Sequence, residues 1–501
     1  MKSTNKKMIT LVLSVFMLFG STLPALAAEI DQETEEAIRT IVENEYYLNL
    51  DGVDLEKADL EDILLSLDKY SEYLTREEYE NFDRIVEGTF GGLGVSLATT
   101  ETGNIVNGVL SGTPAEVAGI QVGDMFVSVD GQDVQSLALN ELVPLLRGNP
   151  GSNVVIEMKR EGEDETIIFV MERAIIDMSG KIAELSEDGV AYIKVNTFGV
   201  DVGAWFMRML GEMRESNPGL EGIVLDLRDN TGGRLTSGLS MASTILDKES
   251  TLTKIYKQDE LIHQYRSTSP GVGVPVVVLG DAGTASASEL VIAALVDNEQ
   301  AKFVGEPTYG KGVMQTIFTL PNNDVLKMTT AEFKGPLDTP IHGVGLSPDY
   351  LVEDIPDDEN MDEPLIFALE LIEKEIDSFV PGEMTFVLNE PKVLLGMNAK
   401  TLSAENTLNQ GAFVVPLRDT CGLLKLAVRY ENEKVVVTGQ TEEMIFSPGE
   451  REVWVNGVKE ELGQPLLMKD GRTYLPARFL GEQLGYQVDY NAETQKVTLS
   501  K

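Results

Sequence analysis

Cysteine and histidine are nearly missing from this chain of 501 residues: Cys421 stands alone, and His263 and His342 are its two imidazoles. One cysteine excludes an internal disulfide. One cysteine with two separated histidines also falls short of a zinc ligand set, so no metal and no cofactor is expected. Neither histidine stands in a triad-like motif. Basic residues are scarce as well, 40 against 82 acidic ones, for a net charge of −42. Such a field repels nucleic acid and anionic membranes, so no nucleic-acid partner is expected. The chain opens with Lys2, Lys6 and Lys7, an apolar stretch over residues 8–19 and Ala25-Leu-Ala27. That order describes a cleavable secretory leader, residues 1–28. Its apolar part is short against the roughly 20 residues a spanning helix needs, and no cysteine waits at the cleavage site for a lipid anchor. The mature chain is expected to be exported.

The most informative stretch runs from residue 275 to 315. Pro275-Val-Val-Val-Leu-Gly280 is a buried-strand pattern, Asp281 to Glu289 is small and polar, and Leu290 to Val296 reads as a packed helix. A short strand, Ala301-Lys-Phe-Val304, leads into Gly305 to Gln315. Strand, turn and helix in that order lift a hydroxyl to a helix N-terminus, where unpaired N–H groups and the helix dipole favour developing negative charge. Ser286 is that hydroxyl, with Ser288 as its competitor. A serine needs a base. Lys311 lies between two glycines one strand downstream, where a right-handed crossover sets consecutive parallel strands side by side. It can serve if burial keeps its amine neutral. Gln315, four residues on, shares a face with it and offers an amide oxygen to orient the amine.

Thr284-Ala-Ser-Ala-Ser-Glu289 followed by Gly310-Lys-Gly-Val-Met-Gln315 resembles the carboxyl-terminal processing (tail-specific) serine peptidases. The resemblance makes Ser286 the nucleophile, Lys311 the general base and Gln315 its orienter. It extends to Gly222–Gly233, a strand breaking into a Gly-Gly turn, so the backbone N–H of Gly232 or Gly233, with that of Ala287, is expected to form the oxyanion hole. A closing element, Gly343-Val-Gly-Leu-Ser-Pro-Asp349, also matches, and His342 beside it is expected to be structural.

Around this core the chain divides into five parts. After the leader, residues 29–86 read as helical from apolar stripes at Ile38, Ile41, Val42 and at Leu60, Ile63, Leu64, Leu67. In the same family such helices pair two subunits, so a homodimer is implied, with packing onto the chain's own body as the alternative. Residues 87–175 resemble a PDZ domain through Gly91-Gly-Leu-Gly-Val-Ser-Leu97 and Gly112-Thr-Pro-Ala-Glu-Val-Ala-Gly-Ile-Gln-Val-Gly-Asp124. In that module a peptide adds as a strand and a glycine loop holds its C-terminal carboxylate. Gly92, Leu93, Gly94 and Val95 would form the loop, a turn without a ligand being the alternative. Family architecture further suggests that Arg147 contacts the peptidase core and reports peptide occupancy. Residues 176–380 are the peptidase core. Residues 383–501 repeat themselves: Val415-Pro-Leu-Arg418, Tyr430 and Lys434-Val-Val-Val-Thr438 recur as Leu475-Pro-Ala-Arg478, Tyr490 and Lys496-Val-Thr-Leu499. They resemble the small domain named after the N-terminal domain of copper amine oxidases, which often accompanies exported proteins of Gram-positive-type bacteria. No copper is implied. The repeat reads as an attachment module for cell wall or a partner, or as a structural appendage.

The fold class expected is therefore α/β multidomain: N-terminal helices, a PDZ sandwich or barrel with helices, an α/β peptidase core resembling the ClpP/crotonase type, and a C-terminal α+β repeat domain. The function expected is an exported endopeptidase that takes protein or peptide substrates by free C-termini. The alternatives are a non-catalytic PDZ/repeat scaffold and a cell-wall hydrolase.

Overall fold

The computed structural model describes residues 30–354 and 362–501, apart from residues 49, 51–52, 56, 101–102, 164, 178–179, 217–218 and 440. The expected leader lies outside the described residues. Among them no helix is long and apolar enough to cross a membrane.

The peptidase core is built on a six-stranded sheet. Lys181–Leu185 runs antiparallel to Val190–Val195, and then Gly222–Asp226, Val276–Gly280, Ala301–Gly305 and Tyr350–Leu351 follow in parallel. The continuous apolar runs of the sequence are explained by the strand period of two. Val276 and Val278 face one side with the helices Val202–Glu215, Leu235–Ile245 and Ala287–Asp297. Val277 and Leu279 face the other side with the helix Glu363–Ser378. A sheet covered on both faces has no polar side to show, so its strands read as unbroken hydrophobic stretches.

A second, antiparallel sheet lies beside it. The hairpin Thr251–Lys257 and Glu260–Arg266 joins the long strand Val325–Lys334, which also pairs along its length with Val313–Thr319. The N-terminal segment adds to this sheet. It is not helical throughout: Glu72–Leu74 is a strand, registered as Glu72 with Lys327 and Leu74 with Val325. A three-residue strand between two helices carries too little alternation to be read from sequence. The faces predicted to pair subunits are covered by the chain itself. Ile38, Val42, Leu60, Ile63 and Leu67 pack on Val313, Leu320, Leu326 and Met328. Self-packing, the alternative reading, is what the chain adopts.

Past the helix Arg76–Val86, whose Thr75 and Glu78 form a reciprocal capping box, a two-stranded ribbon carries the PDZ domain. Thr89–Gly92 pairs antiparallel with Ala174–Asp177, so the two ends of the segment 87–175 form a stalk and the domain proper begins at Val95. Its sheet runs Val95–Thr100, Gly103–Val109, Met125–Val129, Asn153–Lys159 and Ile167–Glu172 in spatial order, with Val95–Thr100 at an edge beside the helix Leu139–Leu146.

The C-terminal domain shows why its sequence repeats. Each copy ends in strand, helix and hairpin: Ala412–Pro416, Leu417–Leu423, then Ala427–Glu431 with Lys434–Thr438, and again Arg472–Pro476, Ala477–Gln483, then Gln487–Asn491 with Lys496–Ser500. The two copies interlock. The last hairpin of the second copy pairs with the first strand of the first copy, Glu383–Val387, and the hairpin of the first copy pairs with Glu443–Phe446 of the second. Val415 faces Leu475 where the copies meet, and one apolar core that includes Cys421 runs through both. The domain is docked on the peptidase core: Asn398 Nδ2 donates to Leu220 O at 2.7 Å, Arg214 Nη1 to Met397 O at 2.9 Å, and Lys400 pairs with Glu221 at 2.6 Å.

Candidate active site

Ser286 sits where the strand Val276–Gly280 ends and the helix Ala287–Asp297 begins. Its backbone is strained, φ 57° and ψ −117°, a region that a residue with a Cβ occupies only when its surroundings impose it. Such a sharp strand-to-helix turn exposes a side-chain oxygen at the head of the helix. Its side chain makes no capping hydrogen bond. Ser288, the competitor, is buried and donates its hydroxyl to Asn230 O at 2.9 Å, which leaves it no outlet to a substrate.

The element that closes the site is a residue the sequence reading passed over. Glu289 is fully buried, and its carboxylate accepts four hydrogen bonds: Ser286 N at 2.8 Å, Thr308 Oγ1 at 2.6 Å, Gly310 N at 2.7 Å and Lys311 N at 2.8 Å. One oxygen, Oε2, takes the backbone N–H of both the predicted nucleophile and the predicted base. A buried carboxylate is costly unless satisfied this fully. The signal was present in the sequence: Ser286-x-x-Glu289 is the spacing of a capping box. What the spacing could not reveal is that three further donors come from the lysine loop.

That loop is braced from behind. Gly343 N donates to Gly310 O at 2.9 Å, and a Cβ on Gly312 would stand 2.5 Å from His342 N, so only glycine lets the two turns approach. His342 thus supports the loop from its backbone, in line with a structural role. Lys311 itself is partly buried, with its Nζ 4.9 Å from the Tyr70 ring centroid. Desolvation, with the neighbouring charge of Lys327, brings its amine down to about 8, against the opposite pull of Asp68, Glu289 and Glu72. Among the described residues no hydrogen bond joins Ser286 Oγ to Lys311 Nζ. Gln315 does not bond to Lys311 either. Its Nε2 donates to Thr329 Oγ1 at 3.2 Å, which leaves Oε1 as the acceptor for an amine.

The Gly-Gly turn lies against Ser286 as expected. A Cβ on Gly232, at φ 101°, would meet Ser286 Cβ at 2.8 Å and Ala287 N at 3.0 Å. One expectation needs correction here: the Gly232 N–H is already donated to Asn230 Oδ1 at 2.9 Å, so it is no oxyanion donor. The N–H groups of Gly233 and Ala287 have no partner among the described residues. The same turn is tied to the helix Arg76–Val86 and its C-cap, which lead into the PDZ stalk. Arg234 pairs with Asp83 at 2.7 Å and with Glu87, while Thr197 Oγ1 bridges Val86 O at 3.3 Å and Gly232 O at 3.1 Å.

In the PDZ domain, Leu93 O accepts from Ala115 N and Gly94 O from Leu110 N, each at 2.9 Å. These two carbonyls are used internally, and among the described residues the N–H groups of Leu93 and Gly94 have no partner. Gly94 takes φ 83°, and a Cβ there would collide with Thr113. Gly92 ends the stalk strand and Val95 opens the edge strand. The guanidinium of Arg147 lies 4.5 Å from the Phe90 ring centroid, a contact with the stalk.

Comparison with known proteins agrees with this layout. The profile of peptidase family S41 matches residues 189–352, that of the PDZ domain residues 105–160, and that of the copper amine oxidase N-terminal domain residues 395–499. The carboxyl-terminal-processing protease of Synechocystis is 32% identical over 301 residues, 59% of this chain and 70% of that protein. A CtpA-like serine protease of Staphylococcus aureus is 32% identical over 328 residues, 64% of each chain. The solved photosystem II D1 C-terminal processing protease is similar over 66% of this chain and 94% of its own, at 24% identity and a TM-score of 0.44. With a PDZ domain on a stalk, an α/β core and relatives matched across both, the chain belongs to the carboxyl-terminal-processing serine proteases of peptidase family S41.

Proposed function

We propose that this protease is exported and cleaves proteins whose unstructured C-terminal tails dock in its PDZ domain. The tail would add as a strand along Val95–Thr100, its carboxylate held by the free N–H groups of Leu93 and Gly94 in the Gly92–Val95 loop. Ser286 Oγ attacks the scissile carbonyl while neutral Lys311 accepts its proton, later delivering it to the leaving amine. Gln315 presents Oε1 to the amine. The N–H groups of Gly233 and Ala287 receive the oxyanion, a contribution of typically about 3 kcal/mol for one such donor. Water then hydrolyses the acyl-enzyme.

The observation that carries this reading is the shared Glu289 carboxylate, which fastens a strained serine and a desolvated lysine to one point. Digestion of unfolded casein by the mature protein, with Ser286→Ala as control, tests it. Loss of cleavage in the variant is expected, and identical digests would favour a binding scaffold. The contact of Arg147 with the stalk supports a role in reporting peptide occupancy to the core through stalk position. Peptide stimulation that is equal in wild type and Arg147→Ala would remove that role. Attachment through the repeat domain draws support from Tyr430 and Tyr490, equivalent residues of the two copies and both exposed. A homodimer through the N-terminal region would have to use what self-packing leaves uncovered there, chiefly Leu48 and Leu65.

A further inference from the structure

The turn that enters the strand Glu72–Leu74 reaches the lysine loop from the far end of the chain. Tyr70 lays its ring beside the Lys311 amine, and Lys69 lies 4.9 Å from the same ring and 5.8 Å from that of Tyr309. Asp68 holds the turn in shape. Its Oδ1 accepts from Tyr70 N at 2.8 Å and Ser71 Oγ at 3.1 Å, and its own N–H is donated to the Tyr46 hydroxyl at 2.9 Å. Ser71 Oγ in turn accepts from Thr329 N at 2.9 Å, on the residue that also receives Gln315. The turn is therefore fastened to the strand behind the proposed base.

Asp68 Oδ2 breaks this pattern. It is buried and has no hydrogen-bond partner among the described residues. A buried carboxylate oxygen left unpaired is expensive, and such an orphan calls for a functional explanation. Lys311 lies within its electrostatic reach, beyond ion-pair distance, and the carboxylate favours its ammonium form. The other groups facing the amine are already committed. Glu289 is saturated by four donors, and Glu72 is paired with Lys327, itself a charge that disfavours the ammonium. Lys69 is exposed and engaged with Tyr70 and Tyr309, and His342 stands 6.2 Å from the Tyr70 ring centroid. Asp68 is the carboxylate with an oxygen to spare.

We propose that Asp68 and Tyr70 are positioning residues for the base. Tyr70 shields the amine from water and so favours its neutral form, while Asp68 supplies the counter-charge once the amine becomes an ammonium. The inference rests on Lys311 being the base. In that step the Ser286 O–H bond breaks, an N–H bond forms on Lys311, and the oxygen electron pair goes to the carbonyl carbon. The positive charge then stays in a desolvated pocket until the proton passes to the leaving amine.

The two residues act on the amine in opposite directions, which gives the test its sign. Rates on a fluorogenic tail peptide are measured against pH for the full-length wild type, Asp68→Asn, Tyr70→Phe and Tyr70→Ala. Asp68→Asn keeps an oxygen for Tyr70 N and Ser71 Oγ but loses the charge. Its acid limb is expected to move to lower pH by about one unit while its plateau rate falls about tenfold. Tyr70→Ala wets the amine, and its limb is expected to move to higher pH. Tyr70→Phe keeps the ring and is expected to keep the wild-type limb. A merely structural turn would lower the rate without moving the limb, and an unmoved limb in Asp68→Asn overturns the proposal whether or not Tyr70→Ala folds. Lys311→Met separates the two levels. If it stays active, the base assignment falls. If it is dead while the Asp68→Asn limb is unmoved, this proposal falls and the base assignment stands.

Discussion

The peptidase core and the C-terminal repeat domain both close around apolar cores, yet they treat charge and strain differently. In the repeat domain the buried polar side chains are neutral: Asn398, Asn406, Thr420 and Gln464. Its left-handed residues, such as Lys425, Asn432, Asn456 and Asp470, lie at turns between regular elements. In the core, two carboxylates are fully buried, Asp226 and Glu289, and a left-handed residue, Ser286, stands at the head of a packed helix. A domain that only has to hold its shape can do so with duplicated strands and an interlocked core. Asp226 is answered by Arg228 and Tyr192, but the buried charge of Glu289 beside backbone strain needs another reason, and it gathers one serine and one lysine.

The widest expected gap between the two regions follows from Lys311→Met. With no base, peptide cleavage should fall by about 10³-fold or more while thermal unfolding of the repeat domain stays where it was. Activity retained within tenfold would erase the contrast. Next is Glu289→Gln, which keeps the size of the side chain but turns one acceptor oxygen into a donor facing N–H groups. Cleavage should drop about a hundredfold with a stability loss of about 2 kcal/mol, read by denaturant unfolding and kcat together. In the repeat domain the effect should be reversed. Leu475→Ala removes a fully buried side chain where the copies meet, and should cost about 3 kcal/mol of that domain's stability with little change in cleavage. Parallel losses of activity would mean that the docked domain shapes the site.

The smallest effect concerns the seam between them. Asp247, on the core, is pushed up to about 6 by burial and by Glu383 of the repeat domain. A carboxyl whose folded pKa is raised ionises at a cost, so stability should decline as pH rises from about 4 to about 6 and stay lower above that. Asp247→Asn should flatten this slope and raise the melting temperature at neutral pH by a few degrees. An unchanged slope would show that the seam is wetter than its burial implies.

Much of this was legible in the sequence because it is local. The run Val276 to Gly280, the small turn to Ser286 and the helix after it follow from period, size and capping within one stretch. The two C-terminal copies can be aligned by eye, though their interlocking cannot. What stayed hidden depends on distant partners. Glu289 looks like an ordinary helix-cap residue until the lysine loop is folded over it. Tyr70 meets Lys311 only because Glu72–Leu74 joins a sheet whose other strands come much later. Gly232 could not be told from Gly233 without seeing that Asn230 takes the N–H of one of them.

The central claim is that an uncharged Lys311 amine activates Ser286. It is tested most directly by following two quantities across pH on one enzyme: the titration of the Lys311 side chain by nitrogen NMR, assigned with Lys311→Arg, and the rate at which a fluorophosphonate acylates Ser286. Both should rise through a common midpoint at about 8. An amine still fully protonated at pH 10, in an enzyme whose serine already reacts at full rate near pH 7, would contradict the account.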